Sequence, residues 1–535
     1  MFKFVRYALL TYSLAVSGSA LGTTYYVAAT GLDTNSGTSK TSPWLHAPGM
    51  SGATGIPASY TPQPGDSFIL HGGDTWHWSG TGNTPVGVPW TWKWSGTGSS
   101  SASGGCTGAG CIYVGVDTTW YNSSVCGSSF CRPKLTGDNP LSTSTVASCP
   151  KSTLNNGTVI WQDGASFVTW DNFEISGVCD NATSGQDAVV YLGQPLGSCY
   201  NTFQNFYIHG WTMASNYGDK VAAFYGSTTG TCSTGDTYPH TGNVFAYNIL
   251  DGSDSSPQAM QGYYQDCYNV HHNYETMLAG NNCNNMHLNH DNVTEYNNED
   301  NSNGVDHGDT WQFYGEAHSN NYFYNNVIRH SGNLAGIGIN VIFEPMSGYT
   351  DVAFNNIFYD INSGNFLLVN GVNGGKIQLI NNTFQTPSGG AINCANNGCV
   401  LSQNNHYITQ TGSAGSQYSG AQNPTTQTAD LIESVSAASA AGYTSSNQYA
   451  PTSSKSPTVQ AGTSVSSICS GLTDTGAAAA CIMGTNLACS YTLGSGVLVC
   501  PGQASMSRTS PPDIGAYVFN GSSLQPPTNL SATVQ

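Results

Sequence analysis

Asp306, His307, Asp309, Gln312, Glu316, His318, Arg329 and His330 fall within 25 residues of a chain that is only 8% charged. The stretch Asp306-His307-Gly308-Asp309-Thr310-Trp311-Gln312 is the densest part. An imidazole flanked by two carboxylates has its charged form stabilised, which moves it toward acid–base work near neutral pH. In an extended strand His307, Asp309 and Trp311 would share one side and Asp306, Thr310 and Gln312 the other. Two reactions on a sugar polymer suit this set. In β-elimination, His307 would take the proton next to a uronic carboxylate while Arg329, about 20 residues on and close to one coil away, neutralises that carboxylate. In hydrolysis, two carboxyl groups act as acid and as base or nucleophile, about 5–5.5 Å apart for retention and about 6.5–9.5 Å for inversion. Asp306, Asp309, Glu316 and Glu344 are the candidates, with Gln312, Trp311, Tyr314 and Glu344 as substrate contacts.

These residues need a scaffold that brings distant segments together, and the chain has a rhythm that supplies one. Thr310-Trp311-Gln312-Phe313-Tyr314-Gly315 is followed about 26 residues later by Gly336-Ile337-Gly338-Ile339-Asn340-Val341. A phrase with asparagines four or five apart and an apolar follow-on begins at Asn243, Asn269 and Asn321, and returns with changes around Asn355-Asn356 and Asn381-Asn382. The spacing of about 25 residues lies in the solenoid range. Short β-rich runs punctuated by Asn, Gly and Asp fit stacked coils better than a sandwich. Most of these asparagines are expected to form ladders, each amide bonding the coil above and below.

The bounds agree. The chain has 535 residues, 64 of them Gly, and an apolar share of 39%, too high for disorder. Net charge is −18, so nucleic acid is excluded as a partner and a strongly anionic polysaccharide is disfavoured unless Ca²⁺ or a local basic site holds it. Met1 to Ala20 has Lys3 and Arg6 before an apolar run and small residues after it, the pattern of a secretory signal peptide. No later stretch is long enough to span a bilayer. The sixteen cysteines fall into sequence-near pairs, as expected of an oxidising compartment: Cys106/Cys111, Cys126/Cys131, Cys394/Cys399, Cys469/Cys481 and Cys489/Cys500, with Cys149/Cys179, Cys199/Cys232 and Cys267/Cys283 completing the pattern.

Tyr25-Tyr26-Val27, the loop Gly31 to Thr38 containing Asp33 and Asn35, Ser42-Pro43-Trp44 and Pro64-Gly65-Asp66 ahead of His71-Gly72-Gly73 form a signature. It resembles the N-terminal region of secreted right-handed parallel β-helix proteins of the pectate-lyase-like superfamily. Pro512-Asp513-Ile514-Gly515-Ala516-Tyr517-Val518-Phe519 is similar to the phrase that often closes their solenoid, with Val518 in place of the usual Glu. The resemblance implies an all-β fold, a right-handed parallel β-helix from about Tyr25 to Phe519. It leaves the reaction open among lyases, glycoside hydrolases, epimerases and non-catalytic adhesins. The His307-Gly308-Asp309 run with Arg329 downstream resembles the Asp-Pro-His-Asp motif and Arg of alginate C5-epimerases, but the Pro is absent and the order differs.

The expected organisation is a signal peptide at 1–22, a cap with loop-rich first coils at 23–155, the β-helix at 156–520 and a flexible tail at 521–535. Trp90, Trp92 and Trp94 alternate, so they could form an exposed platform for sugar rings or be buried in the cap. Asp300, Ser302 and Asp306 have the oxygen-rich, Gly-turned look of a Ca²⁺ loop, which makes Ca²⁺ the first cofactor candidate. His287 and His290 could ligate a transition metal, on spacing alone. The reading is a secreted, monomeric, carbohydrate-active enzyme with Asp306, His307, Asp309 and Arg329 at its centre. The alternative is a non-catalytic glycan-binding β-helix.

Overall fold

The computed structural model describes residues 22–521, apart from 102, 140–157, 181–186, 194–196, 214–220, 227–241, 256–259, 266, 284–285, 297–308, 314–319, 332–338, 362–364, 372–373, 387–390, 420–421, 486–488, 501–505 and 520. The expected signal peptide and tail lie outside these residues.

Three long sheets run side by side, and every pairing within them is parallel. Sheet A has 13 strands, from Thr24–Val27 to Thr426–Thr428. Sheet B has 10, from Trp90–Trp92 to Ala391–Ala395. Sheet C has 13, from Val86–Val88 to Leu431–Ser434. Each regular coil visits A, then C, then B before returning to A one level up. The fold is the expected right-handed parallel β-helix.

The corner from A to C explains why the asparagines recur. It has two residues. The first takes a left-handed conformation, as at Asn205, Asn325, Asn355, Asn381 and Asn404, which asparagine tolerates better than most side chains. The second turns inward. Asn273, Asn292, Asn326, Asn356, Asn382 and Asn405 occupy it in successive coils, and each side-chain oxygen accepts the backbone N–H of its predecessor. Asp430 ends the series by accepting from the Asn405 N–H. The steps are 19, 34, 30, 26, 23 and 25 residues, so coil length varies around a constant corner.

Inside, the middle residues of the short strands of sheets A and C and the alternate inward residues of sheet B form one continuous core that includes Phe203, Phe224, Phe245, Trp311, Phe323, Phe343 and Phe358. Trp76, Trp90 and Trp92 are fully buried near its N-terminal end, with Trp92 against Phe68 and Trp90 against Trp170. Trp90 and Trp92 therefore do not serve as a sugar platform: their parity puts them on one face, and that face is the inner one. Trp94 is half-buried, with Lys93 over its ring.

The coils end at Leu431–Ser434 rather than continuing to residue 520. Residues beyond 434 run back along the outside. Val465, Cys469, Ala477 and Cys481 pack on Tyr322, Tyr324, Val352 and Phe354 of sheet A. Tyr443, Tyr449, Leu498, Ala516 and Tyr517 pack on Ile249, Tyr274, Val293, Val327 and Ile357 of sheet C. The Pro512–Phe519 phrase does not close the last coil. It docks alongside earlier ones, the Gly515 N–H donating to the Asn404 carbonyl and the Ala516 N–H to Thr383 Oγ1. Six of the expected disulfides are formed: Cys106–Cys111, Cys126–Cys131, Cys267–Cys283, Cys394–Cys399, Cys469–Cys481 and Cys489–Cys500. Cys179 and Cys199 are also disulfide-bonded, while Cys149 and Cys232 lie outside the described residues. Among the described residues no helix is long and apolar enough to cross a membrane.

Candidate active-site groove

Sheets A and C have their outer faces covered by the returning chain, and sheet B does not enter those contacts. Sheet B is also the sheet with long connections at both edges. Residues 137–159 lead into Ile160–Gln162, 227–243 leave Val221–Gly226, and 296–310 lead into Trp311–Phe313. A sheet face that stays out of those contacts is the natural place for an extended ligand.

Strand register orders that face. Thr91, Trp161, Tyr191, Tyr225, Tyr264, Asn282, Gln312, Ile342, Leu368 and Asn393 occupy one row, each paired with the next. Adjacent members are about 4.8 Å apart. Trp161 is 39% exposed in a sheet where its neighbours Ile160 and Gln162 are buried. The rings of Tyr191 and Tyr225 stack, with centroids 5.0 Å apart. Beyond them the row turns polar at Asn282 and Gln312, and the buried Oδ1 of Asn282 has no partner. Rings followed by amides suit a sugar chain, whose apolar faces stack and whose hydroxyls hydrogen-bond.

Of the candidate residues, Gln312 lies in this row, between Asn282 and Ile342, and is buried there. Trp311 does not: it points inward and stacks on Tyr263 and Phe313, so it is core. Asp309 is buried where the chain enters the strand, and its carbonyl accepts from the Asn281 N–H. Gly280 makes that approach possible, since a Cβ there would come within 2.0 Å of the Asp309 oxygen. Glu344 stands at the opposite end of the next strand, where its carboxylate accepts from Asn370 Nδ2 at 3.2 Å. Five residues of extended chain separate the levels of Asp309 and Glu344, roughly 16 Å, too far for the two to share one glycosidic bond. Asp306, His307, Tyr314, Glu316, His318, Asp300 and Ser302 lie outside the described residues.

Arg329 sits elsewhere. It ends the strand Val327–Arg329 of sheet C, in register with Glu295 and Tyr359. Its Nε donates to Glu295 Oε2 at 2.7 Å, and its other nitrogens donate to the hydroxyls of Tyr274 and Tyr359. The partner it meets is 34 residues back. The 20-odd residues that separate it from the His307 region carry the chain from sheet B through A to C within one coil, not round to the same face. Arg329 is a counter-ion in the covered flank and is not part of the sheet-B row.

Two features were not expected. One is the aromatic part of the row. The alternation in Ile160-Trp161-Gln162 and Val190-Tyr191-Leu192 marks Trp161 and Tyr191 as facing away from the core, which is the signal that could have found them. The other is a string on sheet C. Lys134 pairs with Glu174 at 2.9 Å, and His209 bridges Glu174 and Asp254. Burial raises the Glu174 carboxyl, but the His209 hydrogen bond and Lys134 outweigh it and hold the group at about 2. Burial opposes the charge on His209, yet Asp254 and Glu174 lift its pKa above the usual value. Each member is matched, as in a structural ion pair.

No protein-family model matches the chain, and no curated protein matches it. Among solved structures it is similar to a GH136 lacto-N-biosidase from Eubacterium ramulus, at 12% identity and a TM-score of 0.45 over 77% of this chain and 67% of that one. It is similar to pectate lyase Pel9A at 13% identity and a TM-score of 0.34 over 94% and 98%, and to a rhamnogalacturonan lyase at 14% and 0.35 over 70% and 85%.

Proposed function

We propose that this chain is a secreted carbohydrate-active enzyme that holds a glycan along the outer face of sheet B and cleaves it by hydrolysis near the entry to the strand Trp311–Phe313. The observation that carries the reading is the sheet-B row in which the exposed Trp161 and the half-buried Tyr191, stacked on the buried Tyr225, lead to the amides of Asn282 and Gln312. The leader-like N-terminus and the local disulfides support export. The catalytic pair is Asp306 and Asp309, with His307 between them as a proton carrier. One carboxyl protonates the departing oxygen while the other activates water or attacks the sugar carbon. Gln312 and Glu344 act as substrate contacts on either side.

Hydrolysis is preferred over elimination because elimination needs a cation beside the uronic carboxylate. Arg329 is already committed to Glu295, and among the described residues no Lys or Arg occupies the sheet-B row. A net charge of −18 also favours a neutral glycan.

Purified protein incubated with neutral and uronic polysaccharides is expected to release new reducing ends from a neutral glycan without unsaturated products. Asp306→Asn and Asp309→Asn are each expected to lower kcat by about 100-fold or more. Trp161→Ala is expected to weaken glycan binding by about tenfold, roughly 1.4 kcal/mol, with kcat little changed. Unsaturated uronides would replace hydrolysis by elimination. Binding without turnover would leave the alternative, a glycan-binding surface protein, which the absence of a carboxylate from the described row favours.

A further inference from the structure

The A-to-C corner holds asparagine in most regular coils, but three consecutive coils depart from this. There the left-handed position is Tyr247, then His272, then Asp291, and the last two bring further ionisable groups with them. The residues just before them, His271 and His290, are register partners on the outer face of sheet A. Three imidazoles and a carboxylate thus meet at one corner. The rings of His271 and His290 stack at 5.0 Å, and His272 stands nearly perpendicular to both, 5.2 and 6.0 Å away. His290 Nδ1 lies 2.7 Å from Asp291 Oδ2, and Asn325 Nδ2 donates to the other carboxylate oxygen.

We propose that this corner is a structural binding site for a divalent transition-metal ion, Zn²⁺ in the first instance. Its ligands are His272, His290 and Asp291, with His271 as the fourth. One donor atom from each of the first three lies within 4.8 Å of the others, so modest side-chain rotations close the set around an ion. His271 Nδ1 is 3.0 Å from His272 Nδ1, close to the edge of about 3.3 Å in a tetrahedron built on metal–nitrogen bonds of about 2.0–2.1 Å. Imidazole-rich sets select Zn²⁺, Cu²⁺ or Ni²⁺ over Ca²⁺ and Mg²⁺, which take oxygen donors.

The site lies on sheet A and not on the sheet-B row, so its role is mechanical. The Cys489–Cys500 disulfide of the returning chain crosses this corner, with Cys500 Sγ 3.9 Å from the His272 carbonyl oxygen and Cys489 Sγ 4.0 Å from that of Asp291. A bound ion would stiffen the two corners on which that disulfide rests. The proposal is independent of the glycan reading.

The test uses full-length, untagged protein stripped with EDTA, Zn²⁺ alone by calorimetry and thermal unfolding, and Co²⁺ as a spectroscopic probe. One ion per chain, a raised Tm and the intense visible absorption of tetrahedral Co²⁺ are expected. His272→Asn restores the residue other corners carry. His290→Phe keeps a ring in the stack, as Phe354 does two levels on. Both variants should fold, keep the metal-free Tm, lose the Zn²⁺-dependent rise and bind at least about tenfold more weakly. Absence of saturable Zn²⁺ binding to the parent protein would overturn the site. So would variants that bind as tightly as the parent, and equal stabilisation by Ca²⁺ would overturn the assigned ion class.

Discussion

Replacing Asn326 by Ala is expected to destabilise the protein by about 4 kcal/mol, although the side chain touches no ligand and lies on no exposed face. Its Oδ1 accepts from both the backbone N–H and Nδ2 of Asn292, and its Nδ2 donates to the Asn289 carbonyl and to Asn356 Oδ1. Truncation leaves the Asn292 N–H and the Asn289 carbonyl unmatched, each orphan costing about 1–3 kcal/mol, and adds a small cavity. Asn326→Asp should not rescue. It keeps the acceptor but sets a carboxylate against Asn356 Oδ1, which can only accept. The neighbouring Asn325→Ala should cost about 1–2 kcal/mol, the penalty of a left-handed residue with a Cβ and no local hydrogen bond. Urea denaturation of the three variants checks this. A loss below about 1 kcal/mol for Asn326→Ala would mean that the ladder decorates the corner rather than holding it.

That ladder is also why the fold was legible. A corner in which each side chain bonds the next coil demands the same residue at each level, so the asparagine recurs while the rest of the coil drifts. The step of 34 residues from Asn292 to Asn326 and the step of 19 before it carry the same corner. The site was legible only in part, for three physical reasons. Alternation tells which side chains share a face but not whether that face is inner or outer, so Trp90 and Trp92 gave a pattern equally suited to core and platform. Sequence separation measures coils only when coils are equal, and Arg329 meets Glu295 rather than the His307 region because its coil is long. The third reason is the chain after residue 434. It converts outer faces of sheets A and C into interior, and nothing in its Ser- and Ala-rich composition announces which faces it will cover. Gln312 stood out in the sequence by local polar density, and register sets it in the sheet-B row. Trp161 and Tyr191 were passed over because each is a single aromatic in a short run, and only the stacking of several coils makes them a row.

Stability should be greatest on the acid side of neutrality, and Glu275 is the main reason. It is the middle residue of Tyr274–Thr276 in sheet C, so it points into the core, between Leu250 and Thr294 in register. Asn281 Nδ2 and Thr294 Oγ1 donate to its Oε2, while Oε1 has no partner. Burial raises its pKa from 4.5 to about 8, and those two hydrogen bonds offset only part of the rise. A carboxyl whose folded pKa lies above its unfolded value binds its proton more tightly in the folded state. Its stabilising contribution is complete below 4.5 and is lost as pH rises through 8, by about 3–5 kcal/mol in all. Asp351, raised to about 7 by burial, and Asp430, raised to about 6, act in the same sense. Glu174 and Asp117, held down at about 2, act in the opposite one, and their contribution fades only as pH falls below 4. Chemical denaturation is therefore expected to give a maximum near pH 4.5, at the unfolded pKa of Glu275, and a decline toward about pH 9. Glu275→Gln keeps the shape and the hydrogen-bond acceptor but cannot ionise. It should match the parent within about 1 kcal/mol at the acid end and exceed it by about 3 kcal/mol at the alkaline end. If the variant and the parent decline in parallel, the carboxyl at position 275 is not the group that titrates, and the core at that coil must admit enough water to keep it an ordinary acid.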